Sequence, residues 1–530
     1  MENIKSWKDI HWVTVEYRVF RLQLRIFKAA KNREFEKMYK LQKLLTNSYY
    51  SKYLAVRKVT QDNKGKRIAG VDKIIIKKPK EKFELAKRIT LDGKSSPIRR
   101  AYISKLDGNL RPLGIPTIED RAKQMLAYMA LCPQWEAQFE ANSFGFRPGR
   151  SVQDAIQAIW FGLKVEKWVL NVYISKCFDT INHQYLLDKC NTYPEMRKQI
   201  YSWLKAGILD GNEFAFPEIS TPKGGIISSL LVNIALHGMR EHCDKCINSL
   251  GGYRPNNRQA LTFVRYADNF VLMHKDKKIL LGVKEAVQEF LKSIGLKLSS
   301  TKTRLVHTRL HSENYPPGFD FLGFHIIHRN KWNKIGLVFN KKKSKRQVDF
   351  VRLITPSEKS IKSQKSKIRK IIQNYRGISQ ERLIKILNPI IRGWALSKRS
   401  QISSKVFQDL DSYLYMHLWK WARKRHPKMS KIKLKEKYWH HIDNSKYKFA
   451  IKKKKKDEIV YIRLQYHSKI PIIRHIKIKD DASPFDGNFI YWEKRSRKNS
   501  LIPAKKARLI RSQKGRCGIC GNIFLIDDKI

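Results

Sequence analysis

The residues best equipped for chemistry lie in Ala260–His274, ALTFVRYADNFVLMH. Two apolar runs, Leu261–Val264 and Phe270–Met273, flank a short polar segment that carries Asp268. That pattern predicts a β-hairpin with a carboxylate displayed at its tip. Carboxylate oxygens are the ligands that hard divalent cations take. Two cysteine pairs offer a second chemistry. Cys243 and Cys246 have zinc-knuckle spacing, and Cys517-Gly518-Ile519-Cys520 is a Cys-x-x-Cys. The segment around Cys243 reads as a helix, where Cys at i and i+3 is commonly structural, so a zinc site shared between the pairs is not expected.

Other segments must position the hairpin. Residues 1–60 read as helical: Val19, Phe20, Leu22, Leu24, Ile26 and Phe27 alternate with Arg and Lys, and proline is absent. The basic face of these helices is either solvated or in contact with RNA, and composition leaves both readings open. QDNKGKRIAGVD, from Gln61 to Asp72, reads as a polar loop. In RRAYISKLDGNLRPLGIPTIEDR, Ala101–Ile103 and Leu110 flank an Asp107-Gly108-Asn109 turn, a hairpin signal. Its basic side chains Arg99, Arg100, Lys105 and Arg111 predict one basic ribbon. A helix rich in Met, Leu and Ala follows, around Ala122–Phe139. The next loop, SFGFRPGRS at 143–151, has the glycines and arginines (Arg147, Arg150) that suit a close approach to phosphates.

The chain is strongly cationic. It carries 109 Lys and Arg against 46 Asp and Glu in 530 residues, a net charge of +63, and 42% of it is hydrophobic. These values describe folded domains whose default partner is a polyanion, nucleic acid before an anionic membrane. Residues 331–530 hold 53 basic and 15 acidic residues, against 56 and 31 in the longer segment before them. No apolar run approaches the roughly 18 residues of a membrane span. MENIKSWKDIHW lacks the features of a signal or transit peptide, so the protein is expected to work where it is made. Seven scattered cysteines argue against a disulfide framework and for a reducing compartment.

Seven blocks, in order, resemble those of group II intron-encoded reverse transcriptases: RPLGIPTIEDR (111–121), SFGFRPGRS (143–151), VYISKCFDTINH (172–183), TPKGGIISSLLVNIALH (221–237), RYADNFV (265–271), GLKLSSTKT (295–303) and FDFLGFHI (319–326). The N-terminal segment is similar to the family's extension. LNPIIRGWALSKR (387–399), LWKWARKRHP (418–427) and KYW (437–439) resemble its maturase domain. The resemblance implies an α/β (α+β) chain: a right-hand fold of fingers, palm and thumb, followed by a helical maturase domain. The expected divisions are 1–95 for the helical extension, 96–330 for fingers and palm, 331–445 for thumb and maturase, 446–504 for a basic nucleic-acid-binding segment and 505–530 for the last. QKGRCGICGNIF resembles the opening of an HNH endonuclease domain. With ten residues after Cys520 and a last histidine at His475, Cys517 and Cys520 are expected to remain an incomplete metal site.

The departures from the family bear on function. A polymerase holds two divalent metals with carboxylates. The resemblance implies acids at the start of the VYISKCFDTINH strand and at both places of the hairpin turn. This chain has Tyr173 at the first and Asn269 at the last, and of the three only Asp268 is an acid. Asp179, six residues after Tyr173, is expected past the strand end, and the resemblance gives Glu119 a structural position. Lys223, beside Gly224, stands where the family usually has Gln, and Ser229 where it usually has Pro. Ile226, Ile227, Leu230, Leu231, Ile234 and Leu322 are expected to pack a core around this remnant.

The expected function is therefore an RNA maturase that binds group II intron RNA, promotes its folding and splicing, and has lost polymerase chemistry. The alternative is an active intron-encoded RNA-directed DNA polymerase. No cofactor is expected on the protein, and Mg²⁺ is assigned to the intron RNA. DNA is a second candidate partner at the basic C-terminus. Besides Arg99, Arg100, Arg111, Arg147 and Arg150, the expected RNA contacts are Lys302, Arg392, Lys398, Arg399, Arg423, Lys424 and Arg425. The last six lie among tryptophans and tyrosines, an interleaving that suits RNA, although Trp394 and Trp419 are expected in the core. Ile361–Tyr375 is expected to be a helix with a basic face, Asn340–Arg346 a solvated charge run, and Ile451–Lys456 a phosphate-binding loop. Heavy use of Lys, Ile and Asn, with an extension like those of plastid members, implies a chloroplast protein, with mitochondrial or bacterial cytoplasmic origin as alternatives.

Overall fold

The absence of proline and the spacing of Val15, Val19, Ile26 and Ala30 give α1 (Trp12–Lys31) one buried stripe. In this computed structural model, residues 4–104, 110–175, 177, 180–210, 213–215, 224–249, 260–312, 315–330, 350–442, 445–455, 458–497, 499–502 and 504–518 are described. Helices α2 (Phe35–Asn47), α3 (Tyr49–Arg57) and α4 (Pro79–Arg88) complete the N-terminal layer. They surround α5 (Ile118–Glu136), which is buried along nearly its whole length and is capped by Thr117, whose hydroxyl accepts from the Asp120 amide.

The expected β-hairpin on the far side of α4 forms. Strands β1 (Ile98–Ser104) and β2 (Leu110–Ile115) pair antiparallel from Arg99↔Ile115 to Ser104↔Leu110. Its 107–109 turn lies outside the described residues. Helix α6 (Val152–Gly162) leads into β3 (Trp168–Ser175), and α7 (His183–Cys190) and α8 (Pro194–Leu204) follow. Two short strands, β4 (Ile208–Asp210) and β5 (Glu213–Ala215), extend the hairpin into a sheet of order β2-β1-β4-β5. Beyond them, α9 (Ser228–Ala235) and α10 (Met239–Ser249) precede β6 (Thr262–Tyr266) and β7 (Asn269–His274). A second sheet has the order β6-β7-β3-β8, where β8 is Lys297–Leu298.

The chain divides into two units. The first comprises 1–305, 477–497 and 508–530, and the second 306–476 and 498–507. The second unit holds a three-stranded sheet of Phe319–Phe321, Phe324–Asn330 and Phe350–Pro356. Its helices Glu358–Asn374, Gln380–Lys398, Ser404–Arg425 and Lys431–Tyr438 pack around Ile368, Leu383, Leu387, Leu418 and Trp421. Ile361–Tyr375 is helical as expected, up to Asn374. The lysine run does not form the expected loop. Ile451–Lys455 belongs to strand Ser445–Lys455, paired with Glu458–Arg463 from Ala450↔Arg463 to Lys455↔Glu458. Asn340–Arg346 lies outside the described residues. Leu322, expected in the core beside Ile226, is instead in the second unit, half-buried in the turn between two strands with φ +48°.

Residues 477–497 return to the first unit and close over the 143–151 loop. The Asp154 carboxylate, which is fully buried, receives Arg495 Nη2 at 2.7 Å, the Ile478 amide at 2.8 Å and the Ser151 hydroxyl at 2.7 Å. The Trp492 ring lies so close to Gly149 (φ +71°) that a β-carbon there would stand 2.6 Å from Cη2. A buried pair broken on one side leaves an uncompensated charge. Arg495→Met is therefore expected to destabilise the protein by about 3–5 kcal/mol. Asp154→Asn combined with Arg495→Met should recover part of that loss, read from urea unfolding of the two single variants and the double.

Candidate nucleic-acid interface and the β6–β7 hairpin

The expected hairpin is β6 and β7, joined through Ala267 and Asp268, with Ala267 at φ +56°. Register places Asn269 directly opposite Tyr266 on one side and Tyr173 on the other. Residues facing each other across a sheet share a face, so Tyr266, Asn269 and Tyr173 form one row. All three are half-buried, while Arg265, Phe270 and Val172 beside them are fully buried. Asp268 is at the end of this row, and its main-chain carbonyl accepts from the Ile174 amide at 3.2 Å. The three positions that the sequence singled out are thus brought together.

Their side chains do not suit a pair of divalent ions. A neutral phenol stands across from an amide, and Asn269 Nδ2 donates to Asp268 Oδ1 at 2.9 Å. That bond uses one of the carboxylate's lone-pair sites. Asp179 and Lys223 lie outside the described residues. Among the described residues, no group of three His, Cys, Asp or Glu is arranged to hold a metal. Glu119 is engaged with Arg88 at 2.9 Å and with Lys123 at 3.7 Å.

The hairpin is held from beneath by Arg265, which sequence reasoning passed over although an arginine inside an apolar run was the signal. Its side chain is fully buried; Nη1 donates to Asn233 Oδ1 at 3.1 Å, and Nη2 lies 3.8 Å from Glu140 Oε2. Asn233 Nδ2 in turn donates to the Gly145 carbonyl at 2.8 Å. Main-chain bonds join the same parts: the Phe144 amide to the Arg265 carbonyl and the Arg265 amide to the Asn142 carbonyl, each 2.9 Å. Gly145 has no room for a side chain, since a β-carbon would stand 2.4 Å from the Ala267 amide nitrogen. Burial lowers the Arg265 pKa to about 10, which leaves it charged at neutral pH. Burial also pushes His237 down to about 4, so this ring packs uncharged against Trp135 and Phe139.

Four of the expected RNA contacts are internal, and their donors serve the fold. Arg147 makes a two-point ion pair with Glu136 (2.8 and 3.0 Å) and bonds the carbonyls of Glu140 and Ser143. Arg150 is spent on the carbonyls of Ala141 and Asp480. Lys398 Nζ donates to the Gly323 carbonyl at 2.8 Å over the Phe324 ring, and Arg399 reaches the carbonyls of Ser500 and Ile502. Arg99 is half-buried, with its guanidinium on the Ala69 carbonyl, and Arg100 is half-buried. The side chains of Arg111 and Lys105 lie outside the described residues. Gly224, at φ +124°, abuts the Gly114 carbonyl.

Exposed cations remain. Lys302, Arg423 and Lys424 face solvent; Arg392 also does, with Nε on Gln465, and so does Arg425, which bonds the carbonyls of Arg376 and Ile378. Tyr415 is exposed on the same helix as Arg423, Lys424 and Arg425, and Lys435 Nζ lies 3.8 Å from the Tyr447 ring centroid. Trp421 is buried and Trp394 and Trp419 are half-buried, both packed on other rings. The Cys243 thiol is pushed up to about 12 by burial, which disfavours the thiolate that zinc requires. Cys517 is half-buried, and Cys520 lies outside the described residues.

Burial lowers the Lys398 pKa to about 8 from its ordinary 10.5. The folded state therefore holds this proton less tightly than the unfolded one, and the penalty is complete below about pH 8. It fades as pH rises from 8 to 10.5, so the wild type should gain stability over that window relative to Lys398→Met. The difference, roughly 3 kcal/mol at most, is read from urea midpoints at each pH.

Comparison with known families agrees with this geometry. The family described as N-terminal domain of reverse transcriptase matches residues 7–89. Reverse transcriptase (RNA-dependent DNA polymerase) matches 103–326, and the group II intron maturase-specific domain matches 361–439. Protein YkfC of Escherichia coli is 31% identical over 339 residues, covering 56% of this chain and 87% of that protein. Maturase-like protein 1 of Euglena gracilis is 32% identical over 337 residues, 61% of this chain and 66% of that one. Group II intron-encoded protein LtrA of Lactococcus lactis is 30% identical over 268 residues, 40% and 45% respectively, so this chain matches less than half of LtrA.

Proposed function

Since the chain belongs to the family of group II intron-encoded reverse transcriptase and maturase proteins, we propose that it is a maturase without polymerase chemistry. It binds group II intron RNA and promotes its folding and splicing. The RNA supplies the reaction and the Mg²⁺. The observation that carries this reading is the cross-strand row in which Tyr173 faces Asn269 beside Asp268, the one acid of these three positions. Two-metal catalysis of nucleotidyl transfer needs several carboxylates around two divalent ions, and these side chains do not fit it.

RNA binding is supported by the net charge of +63 and by the exposed Lys302, Arg392, Arg423, Lys424 and Arg425. Phosphate contacts position an RNA without reading its sequence, and aromatic rings such as Tyr415 can stack unpaired bases. No helix among the described residues is long and apolar enough to cross a membrane. The Lys-, Ile- and Asn-rich composition supports AT-rich coding and an organellar origin, and we assign the protein to a plastid.

The test is a splicing assay of intron-containing precursor RNA at low Mg²⁺, where the ribozyme folds poorly, with primer extension on poly(rA)/oligo(dT) in parallel. Accelerated splicing without extension is the expected result. Extension would revive the polymerase alternative and overturn the metal-site argument. Replacing Arg423 and Lys424 by Gln should reduce the salt dependence of RNA binding by about one unit of log–log slope for each phosphate that these side chains neutralise.

A further inference from the structure

The second unit contains a cavity of about 630 Å³, bounded by one face of its three-stranded sheet and by two of its helices. Neighbouring residues of a strand point to opposite faces. Ile326 and Ile354, paired in register, are buried on one face, and Ile327 and Leu353, the next pair, line the cavity on the other. Pro356, Ile361, Ile402 and Val406 complete an aliphatic wall. The wall is not sealed: Ile327, Ile361 and Val406 are half-buried, and Ile402 is 44% exposed. The Ile402 amide donates to the Ile354 carbonyl at 3.1 Å, which ties its turn to the sheet. At the start of that turn the Arg399 carbonyl accepts from the Ile473 amide at 3.0 Å, and Ile472 and Ile473 are exposed as well.

The charges at the rim run against those of the chain. Asp320, Glu358 and Asp409 line the cavity together with Arg329 and Lys405. Acids thus outnumber Lys and Arg there by three to two, whereas the chain carries 46 acids against 109. All three acids are exposed. Asp320 Oδ1 lies 2.8 Å from His325 Nδ1, and Glu358 Oε1 lies 2.7 Å from Lys362 Nζ. Exposed pairs of this kind are weak, and a carboxylate has lone-pair sites for more than one donor. No Phe, Tyr or Trp lines the cavity, so a nucleobase has no such ring to stack on, and the acids repel phosphates. Contiguous exposed aliphatic surface rimmed by polar groups instead suits a protein partner.

We propose that this cavity docks a segment of a partner protein that presents aliphatic side chains next to lysine or arginine. The aliphatic groups enter against Ile327, Leu353 and Ile402, and the cations meet Glu358 and Asp409. The volume, within the roughly 300–1,000 Å³ of ligand clefts, takes side chains and not a folded domain. Docking here goes beyond the maturase reading and does not depend on it. The test uses the full chain and, as probe, an unlabelled helical peptide of Leu and Lys with its leucines on one face, followed by isothermal titration calorimetry. Elsewhere the positive field of the chain repels such a peptide. Glu358→Gln with Asp409→Asn removes two rim charges, and Ile402→Ser removes an aliphatic contact. Glu436→Gln, at an exposed acid outside the cavity, is the control.

The wild type and Glu436→Gln are expected to bind the peptide equally, one peptide to each chain. Glu358→Gln with Asp409→Asn should weaken binding about tenfold, as the loss of charge-assisted contacts implies, and Ile402→Ser about fivefold. Binding by either variant equal to that of the wild type, or no binding by the wild type, overturns the proposal. RNA binding across a salt series should be the same in the wild type and Ile402→Ser. Its loss in that variant would place nucleic acid at this face and overturn the proposal as well. Thermal midpoints check folding; should the double variant fail to fold, Asp409→Asn alone is judged by the same readouts. Failure of splicing stimulation with peptide binding intact would remove the maturase reading alone.

Discussion

A buried arginine holds the β6–β7 hairpin in place. Arg265 has no solvent exposure, and its nearest anion, Glu140, stands 3.8 Å away while also accepting from the Gly238 and Arg240 amides. An ion pair in that setting contributes little net stability, because desolvation offsets much of the attraction. It contributes position. Through Asn233 the guanidinium is joined to the Gly145 carbonyl, and through its main chain to Asn142 and Phe144. The hairpin tip cannot move without the 143–151 loop, and that loop is held in turn by Arg147 on Glu136 and by the 477–497 segment on Asp154.

This coupling makes the form of the sheet independent of which side chains its half-buried row carries. The register Tyr173↔Asn269↔Tyr266 is set by backbone bonds and by the buried face of Val172, Phe270 and Arg265. None of these depends on what the half-buried row carries. Carboxylates in that row would repel one another and require cations. A phenol and an amide carry no charge and require no cation, and the amide donates to the neighbouring carboxylate. The fold and the chemistry of the site are therefore separable, and the fold alone does not argue for catalysis.

Much of this was legible in the sequence because it depended on local pattern. The helical spacing of Val19, Ile26 and Phe27, the apolar runs on either side of Tyr266–Asn269 and the β1–β2 hairpin all appear in the structure. The direction of cationic side chains was not legible. Arg147, Arg150, Lys398 and Arg399 looked like phosphate contacts, yet each turns inward to carbonyls or an acid. The carbonyl partners of Arg399 lie about a hundred residues on, at Ser500 and Ile502, and that of Lys398 lies far upstream at Gly323. Residue type reports charge, and only the tertiary fold reports what is near. The 451–456 lysine run was misjudged for a related reason: its strand partner, Glu458–Arg463, follows immediately, and charge masked the β-branched residues that pair there.

The inward cations change how the net charge should be weighed. A guanidinium has five donors in a fixed plane, so one arginine can tie several carbonyls that no secondary structure would join. Arg121 does this for Pro116, Thr117, Gly65 and Ile68, and Arg399 for Ser500 and Ile502. Such residues add to the formal charge of +63 without adding a phosphate contact. The field they create still reaches the surface, because burial screens it less than water would. Internal arginines thus fix loops by geometry while adding to the positive field, and the exposed lysines and arginines are the cations left to meet a partner.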